Sequence, residues 1–296
     1  MILTDYLSKF GIKYKENLDT SKISSIRAGG KIKTAIFPSN NKDLIRAVEV
    51  CKALSKKYKI IGGCTNTFFA DNGFFGTVIF TKNLNQISIN NGSVIAGCGS
   101  SLSSILRLTA SEGYEIAGEL FGIPGTFGGA VRNNAGAFGK ELCEFFIDGS
   151  FFDPINEKII TLTGEKLSFA YRYSDLQTNC LIFLSGKLKV YSSKKEKCFE
   201  EFKRYAKRRS TEQPSLPSLG SFFKRSGNII PAKLIDDAGL KGYTVGGASV
   251  SQKHAGFIVN SANATAKDIV TLAKYIERTV KEKYGITLQR EAEFVE

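Results

Sequence analysis

Apolar positions change their period several times along the chain, and each change marks an element. The run SNNKDLIRAVEVCKALSKKY (residues 39–58) places Leu44, Val48, Cys51 and Leu54 on one stripe and predicts a helix, with Ser39, Asn40 and Asn41 as cap candidates. Before it, TAIFP predicts a short strand, and after it KIIGGCTNTFFADNGFFGTVIF predicts a strand, a glycine turn and a second strand. The middle of the chain predicts a strand at SVIAG, a helix over SLSSILRLTASEG and a strand pair over LIFLSGKLKVY. A final helix is expected over TAKDIVTLAKYIERTVKEKYG, capped by Thr265 and Asp268, stopped by Gly285 and striped by Ile269, Leu272, Ala273, Ile276 and Val280.

One stretch obeys neither period. GELFGIPGTFGGAVRNNAGAFG, residues 118–139, holds seven glycines in 22 residues. Glycine is costly inside regular structure, so this density points to sharp turns or a close approach to the main chain. Leu120, Phe121, Ile123, Phe127, Val131 and Phe138 do not suit a solvated linker, and a ligand-cradling loop is the expectation. A second glycine turn, IIGGCTNTFF, leaves backbone N–H groups for an anion, with Thr65 and Asn66 as further donors. It lacks both dinucleotide-fold spacing and a P-loop lysine. Two such loops about 60 residues apart suggest a large phosphorylated cofactor held at its two ends.

Composition narrows the chemistry. The chain has 296 residues, 42% hydrophobic, with a formal charge of +13 that suits a phosphorylated substrate, a polyanion or an anionic surface. The densest basic run, KKEKCFEEFKRYAKRRS, has Phe199, Phe202, Tyr205 and Ala206 at helical spacing, which predicts a helix with one docked and one solvated face rather than a nucleic-acid reader. Six scattered cysteines without a CxxC pair argue against a disulfide framework or zinc knuckle, and a single histidine, His254, excludes a histidine-rich metal site. No metal is expected. No apolar run reaches the ~18 residues of a membrane span and no cleavage-site pattern opens the chain, so a cytoplasmic protein is expected. STEQPSLPSLGS reads as a domain boundary.

IGGCTN, GIPGTFGGAVRNNAGAFG, YRYSDLQ, PSLGSFFKRS and YGITLQREAEFVE occur in an order and at a spacing that resemble the UDP-N-acetylenolpyruvoylglucosamine reductase family, from about Ser24 to the carboxyl end. The chain looks like the shorter form, without the inserted substrate-covering segment. The resemblance implies an α+β protein. An FAD-binding fold of the vanillyl-alcohol-oxidase (PCMH) type would occupy subdomains 1–82 and 83–210, with 289–296 as a candidate to rejoin the first. A smaller substrate-binding domain would occupy 211–288.

It also implies flavin-dependent reduction of UDP-N-acetylglucosamine enolpyruvate to UDP-N-acetylmuramate, a step of peptidoglycan synthesis that serves cell-wall biogenesis, cell shape and division. The cofactor would be non-covalent FAD and the co-substrate NADPH. The family's diphosphate loop falls on Gly62, Gly63, Cys64, Thr65 and Asn66. Its flavin loop falls on Gly122, Ile123, Pro124, Gly125 and Thr126 and runs on through Gly128 and Gly129. Arg172 matches the arginine that polarises the substrate carboxylate, Ser221 the proton donor and Glu291 the terminal carboxylate; Tyr171, Lys224 and Arg225 are substrate-binding candidates. Cys64, Arg225, Ser226, Gln289 and Arg290 depart from the family pattern. The implied partner is a UDP-sugar, with no nucleic acid and no membrane, and a monomer is expected. The alternatives are an oxidase of the same cofactor fold acting on another substrate, or a basic nucleic-acid-binding protein without activity.

Overall fold

The computed structural model describes residues 2–90 and 92–296. The chain forms two compact units. The first takes residues up to Lys15, Thr34–Gly63 and Gly76–Arg209; the second takes Glu16–Lys33, Cys64–Phe75 and Ser210–Glu296.

In the first unit the helix Asn41–Ala53 begins where the sequence places it, with Asn40 Oδ1 accepting from the Asp43 amide at 2.9 Å. Its buried face is Leu44, Ala47, Val48, Val50 and Cys51. It stops before the expected Tyr58, because Ser55 turns to a φ of +50° and Tyr58 opens a strand. That strand, Tyr58–Ile61, pairs in parallel with Phe74–Phe80 in a four-stranded sheet that also holds Lys13–Asp19 and Lys31–Phe37. A second, antiparallel sheet runs in the order Lys158–Thr163, Phe146–Asp153, Ile182–Lys189, Ser93–Gly97, Ile87–Asn90.

The expected strand pair over residues 181–191 is instead one eight-residue strand, Ile182–Lys189, followed by the short Tyr191–Ser192. Gly186 makes no turn. It faces Gly149 across the ladder, and a Cβ on it would lie 2.7 Å from the Phe183 ring. The two glycines leave room for Phe146 and Phe183 in a core that also buries Phe127 and Phe151. The helix Leu102–Ser111 has Ser101 as its cap, with Oγ accepting from Ser104 at 3.0 Å. The basic run forms the helix Lys195–Glu212, whose buried residues Cys198, Phe202 and Tyr205 make the docked face.

The second unit has its own core. The helix Ala266–Tyr284 buries Ile269, Leu272, Ala273, Ile276 and Val280 completely, packing on the strands Thr244–Val245 and Ala248–Val250 of an antiparallel sheet that Ile258–Asn260 completes. Thr265 and Asp268 form a capping box, and Gly285 ends the helix at a φ of +70°. Asp71 adds a cap from a distant segment, its two carboxylate oxygens accepting from the Ala266 and Lys267 amides at 2.8 and 2.9 Å. The last strand, Glu293–Val295, pairs in parallel with Thr67–Phe69.

Candidate cofactor and catalytic site

In the first unit the two glycine loops meet. A Cβ built on Gly62 would lie 2.0 Å from Thr126 Oγ1, so only glycine permits this approach. Among the described residues the amides of Gly62, Gly63, Gly125 and Thr126 donate to no protein acceptor. Unpaired amides on two adjoining loops suit an anionic diphosphate. The remaining amides of the longer loop hold it in shape. Gly122 donates to Ser103 Oγ at 3.1 Å, Ile123 to Leu120 O at 3.2 Å, Phe127 to Ser100 O at 2.6 Å and Gly128 to Cys98 O at 2.8 Å. Gly122 and Gly125 turn at φ values of +80° and +113°. Gly128 and Gly129 lie in the short helix Phe127–Arg132, capped by Thr126.

The basic helix braces this loop. Arg209 donates from Nε to Phe121 O at 3.0 Å and from Nη2 to Glu119 O at 2.9 Å, and burial holds its pKa below the ordinary arginine value. Tyr205 donates to Glu119 Oε1 at 2.7 Å, which with burial raises the phenol's pKa. Phe202 stacks on Phe121 with centroids 4.4 Å apart. Part of the net positive charge therefore serves packing around the glycine loop.

In the second unit the rest of the shorter loop adjoins two candidate catalytic segments. Cys64 takes the left-handed conformation a glycine would favour, at a φ of +50°, and its side chain is buried. Burial pushes its thiol up to about 12, which keeps it neutral. Ser25 ties the loop down, its amide donating to Cys64 O at 3.0 Å and its hydroxyl lying 2.7 Å from Ser218 O and 3.4 Å from Thr65 O. Asn66 donates from Nδ2 to Glu291 O at 2.9 Å, while its own carbonyl accepts from Glu293 at 2.8 Å. Glu291 in turn donates from its amide to Phe222 O at 2.8 Å, and Lys224 donates to Gln289 O at 2.8 Å. The segments carrying Ser221 and Glu291 thus run side by side. Ser221 is exposed and Glu291 half-buried.

Two further departures from the family pattern, Ser226 and Arg290, have local explanations. Ser226 donates its amide to Ile229 O at 3.3 Å, a bond no proline could make, and closes a turn through Gly227. Arg290 grips Glu277 with both arms, Nε to Oε1 at 2.6 Å and Nη2 to Oε2 at 2.9 Å, and fastens the terminal segment to the long helix. Arg225 is exposed.

Arg172 stands in the first unit on a turn of positive φ, +54°, with its guanidinium 4.8 Å from the Tyr171 ring. Nη2 donates to Gly136 O at 2.7 Å, and Nη1 lies 3.8 Å from Glu141 Oε1. Sequence reading missed what holds this turn. Gln177 Nε2 lies 3.0 Å from Arg172 O, 3.1 Å from Arg132 O and 3.1 Å from Asn133 Oδ1. Buried Asn134 donates to Glu141 Oε2 at 2.9 Å and to Ala170 O at 3.0 Å. The signal was present in YRYSDLQ, where a glutamine closes a loop rich in polar residues.

Among the described residues no helix is long and apolar enough to cross a membrane, and no cluster of His, Cys, Asp and Glu could hold a metal ion.

Comparison with known proteins gives two family matches: an FAD binding domain over residues 32–149, and the C-terminal domain of UDP-N-acetylenolpyruvoylglucosamine reductase over residues 212–295. The reductase of that name from Caldicellulosiruptor bescii is 35% identical over 293 residues, 98% of this chain and 93% of that protein. The one from Streptococcus pneumoniae is 35% identical over 98% of this chain and 95% of its own length. The crystal structure of UDP-N-acetylenolpyruvylglucosamine reductase from Thermus caldophilus superposes with a TM-score of 0.81 at 26% identity, covering 96% of this chain and 99% of that one. A berberine bridge enzyme variant, 14% identical, matches 66% of this chain and 44% of its own with a TM-score of 0.51, a likeness of fold alone.

Proposed function

Because the chain belongs to the UDP-N-acetylenolpyruvoylglucosamine reductase family, we propose that it reduces UDP-N-acetylglucosamine enolpyruvate to UDP-N-acetylmuramate in the cytoplasm, as a monomer, with NADPH as reductant and non-covalent FAD as cofactor. The unpaired amides of Gly62, Gly63, Gly125 and Thr126 suit the FAD diphosphate. When bound, the flavin supplies hydride to the terminal vinyl carbon of the substrate.

The protein's own task is to accommodate the charge that follows. Addition to a double bond conjugated to a carboxylate builds negative charge on that carboxylate, so a fixed cation aimed there lowers the barrier. Arg172 takes this role, and the hydrogen bonds to its carbonyl and guanidinium limit its rearrangement during the reaction. In its protonated form Glu291 would donate to the same developing charge. Ser221 protonates the neighbouring carbon. A serine hydroxyl is ordinarily far too weak an acid, but a carbanionic acceptor is basic enough to draw its proton. Tyr171, Lys224 and Arg225 bind the substrate, the two cations pairing with its diphosphate.

The observation that carries this reading is the backbone pairing of the Ser221 and Glu291 segments, with Asn66 of the glycine loop bonded to Glu291. Ser221→Ala tests it. NADPH should still bleach the flavin at nearly the wild-type rate, while reoxidation by the enolpyruvyl sugar slows by ~10²–10⁴-fold, the usual worth of a positioned general acid. Wild-type reoxidation in the alanine variant would make Ser221 a turn residue.

A further inference from the structure

We propose that Asn66 is a positioning residue for Glu291, so that the glycine loop sets the place of the terminal carboxylate as well as serving the cofactor. The inference rests on Glu291 acting in the proposed reduction.

An asparagine in a diphosphate loop is expected to direct its side-chain amide at the anion. Here one of the two Nδ2 hydrogens is committed to Glu291 O, at 2.9 Å. The Asn66 carbonyl accepts from the Glu293 amide at 2.8 Å, so Asn66 holds the terminal segment on both sides of Ala292. From the other direction the Glu291 amide is held by Phe222 O at 2.8 Å, next to Ser221. Glu291 is therefore fixed at its amide by the Ser221 segment and at its carbonyl by the glycine loop. Beyond it, Glu293–Val295 continues in parallel register with Thr67–Phe69.

The loop is itself anchored. Ser25 bonds Cys64 O through its amide at 3.0 Å, and its hydroxyl lies 2.7 Å from Ser218 O, three residues before Ser221. The segments bearing Asn66, Ser221 and Glu291 form one hydrogen-bonded set within the second unit. The Asn66 bond to Glu291 O depends on a side chain, whereas the Glu291 amide bond to Phe222 O and the Glu293 amide bond to Asn66 O join backbone to backbone. The backbone bonds preserve the fold, and the carboxylate gains freedom at its carbonyl side.

The test uses the full-length FAD-loaded enzyme with Asn66→Ala and the isosteric Asn66→Asp, which cannot donate to a carbonyl. Three readouts separate positioning from cofactor contact and from general damage. Hydrogen–deuterium exchange should rise in the peptide 286–296 and stay unchanged in the helix Ala266–Tyr284. FAD affinity, from fluorescence titration of apo-protein, should stay within about threefold of wild type in Asn66→Ala, the variant that adds no charge beside the diphosphate loop. Reoxidation by the enolpyruvyl sugar should slow ~10–100-fold, the penalty for misplacing a reacting group by about an ångström. In a Glu291→Gln background Asn66→Ala should cost less than about twofold more, because groups acting through one another are not additive.

Full additivity with Glu291→Gln would overturn the inference. So would loss of FAD affinity in Asn66→Ala with normal reoxidation once FAD is saturating, which would make Asn66 a cofactor contact. Failure of the wild-type enzyme to reoxidise with the sugar would strike the proposed function itself, whereas unchanged exchange in 286–296 strikes only the positioning role.

Discussion

Gly62 and Thr126, 64 positions apart in the sequence, approach so closely that a methyl group on the first would lie 2.0 Å from the hydroxyl of the second. This contact joins the two glycine loops of the first unit and sets their unpaired amides on adjoining backbone. Gly62→Ala should therefore push the loops apart at an overpacking cost of ~1–3 kcal/mol, weakening FAD affinity by ~5–150-fold. Fluorescence titration of apo-protein measures it. Thr126→Ala in the same chain removes the Oγ1 that clashes and should restore part of the affinity. An unchanged affinity in Gly62→Ala would show that the loop contact plays no part in cofactor binding.

The left-handed turn at Arg172 gives a second prediction. Gln177→Ala leaves the Arg172, Arg132 and Asn133 oxygens without their shared donor, so the turn loses its brace while the guanidinium itself is intact. Substrate-dependent flavin reoxidation should fall by ~10–100-fold, the scale of a small misplacement, with FAD content unchanged. Stopped-flow reoxidation and the absorbance of purified protein report the two quantities. Equal loss of both would indicate that Gln177 supports the unit as a whole.

What could be read from the sequence divides along physical lines. Helices were legible because their signals are local: Asn40 and Thr265 cap where residue type and apolar period say they should, and Gly285 ends the last helix. The docked face of the basic helix was legible from Phe202 and Tyr205 at helical spacing. Gly186 was misread because a glycine inside a strand carries no local mark of the ring that packs over it. The assembly of residues 16–33, 64–75 and 210–296 into one unit was not legible, since it depends on bonds such as Ser25 to Ser218 and Ala266 to Asp71 that join distant segments. At the site, the glycine loops were visible as composition, but Gln177, Asn134 and Ser25 act through bonds to backbone oxygens that no pattern announces. Cys64 departs from the family's loop pattern, and the structure gives it the left-handed conformation of a glycine with its thiol buried.

The single histidine allows a clean pH experiment. His254 accepts from the Gly256 amide at Nδ1, 3.1 Å away, and its pKa lies below the ordinary 6.5 because burial disfavours the charged ring, with Arg225 and Lys241 nearby adding to the depression. A histidine with a lowered folded pKa protonates first in the unfolded chain. Its contribution to stability is thus complete above about pH 6.5 and is lost as the pH falls from there to the folded value. Proton NMR should show one imidazole resonance titrating below 6.5. His254→Asn should flatten the stability profile in that window. A resonance titrating above 6.5 would mean that a carboxylate dominates the ring, with Glu212 the nearby candidate.

A chain that passes electrons to an enolpyruvyl sugar rather than to oxygen reoxidises its flavin in the absence of air. Wild-type enzyme is reduced anaerobically with one equivalent of NADPH until the flavin band near ~450 nm is bleached, then mixed with UDP-N-acetylglucosamine enolpyruvate. The band should return without oxygen, and mass spectrometry should find the sugar two hydrogens heavier, as UDP-N-acetylmuramate. A flavin that stays bleached with the sugar and recovers only when air is admitted would contradict it and point to an oxidase of the same cofactor fold.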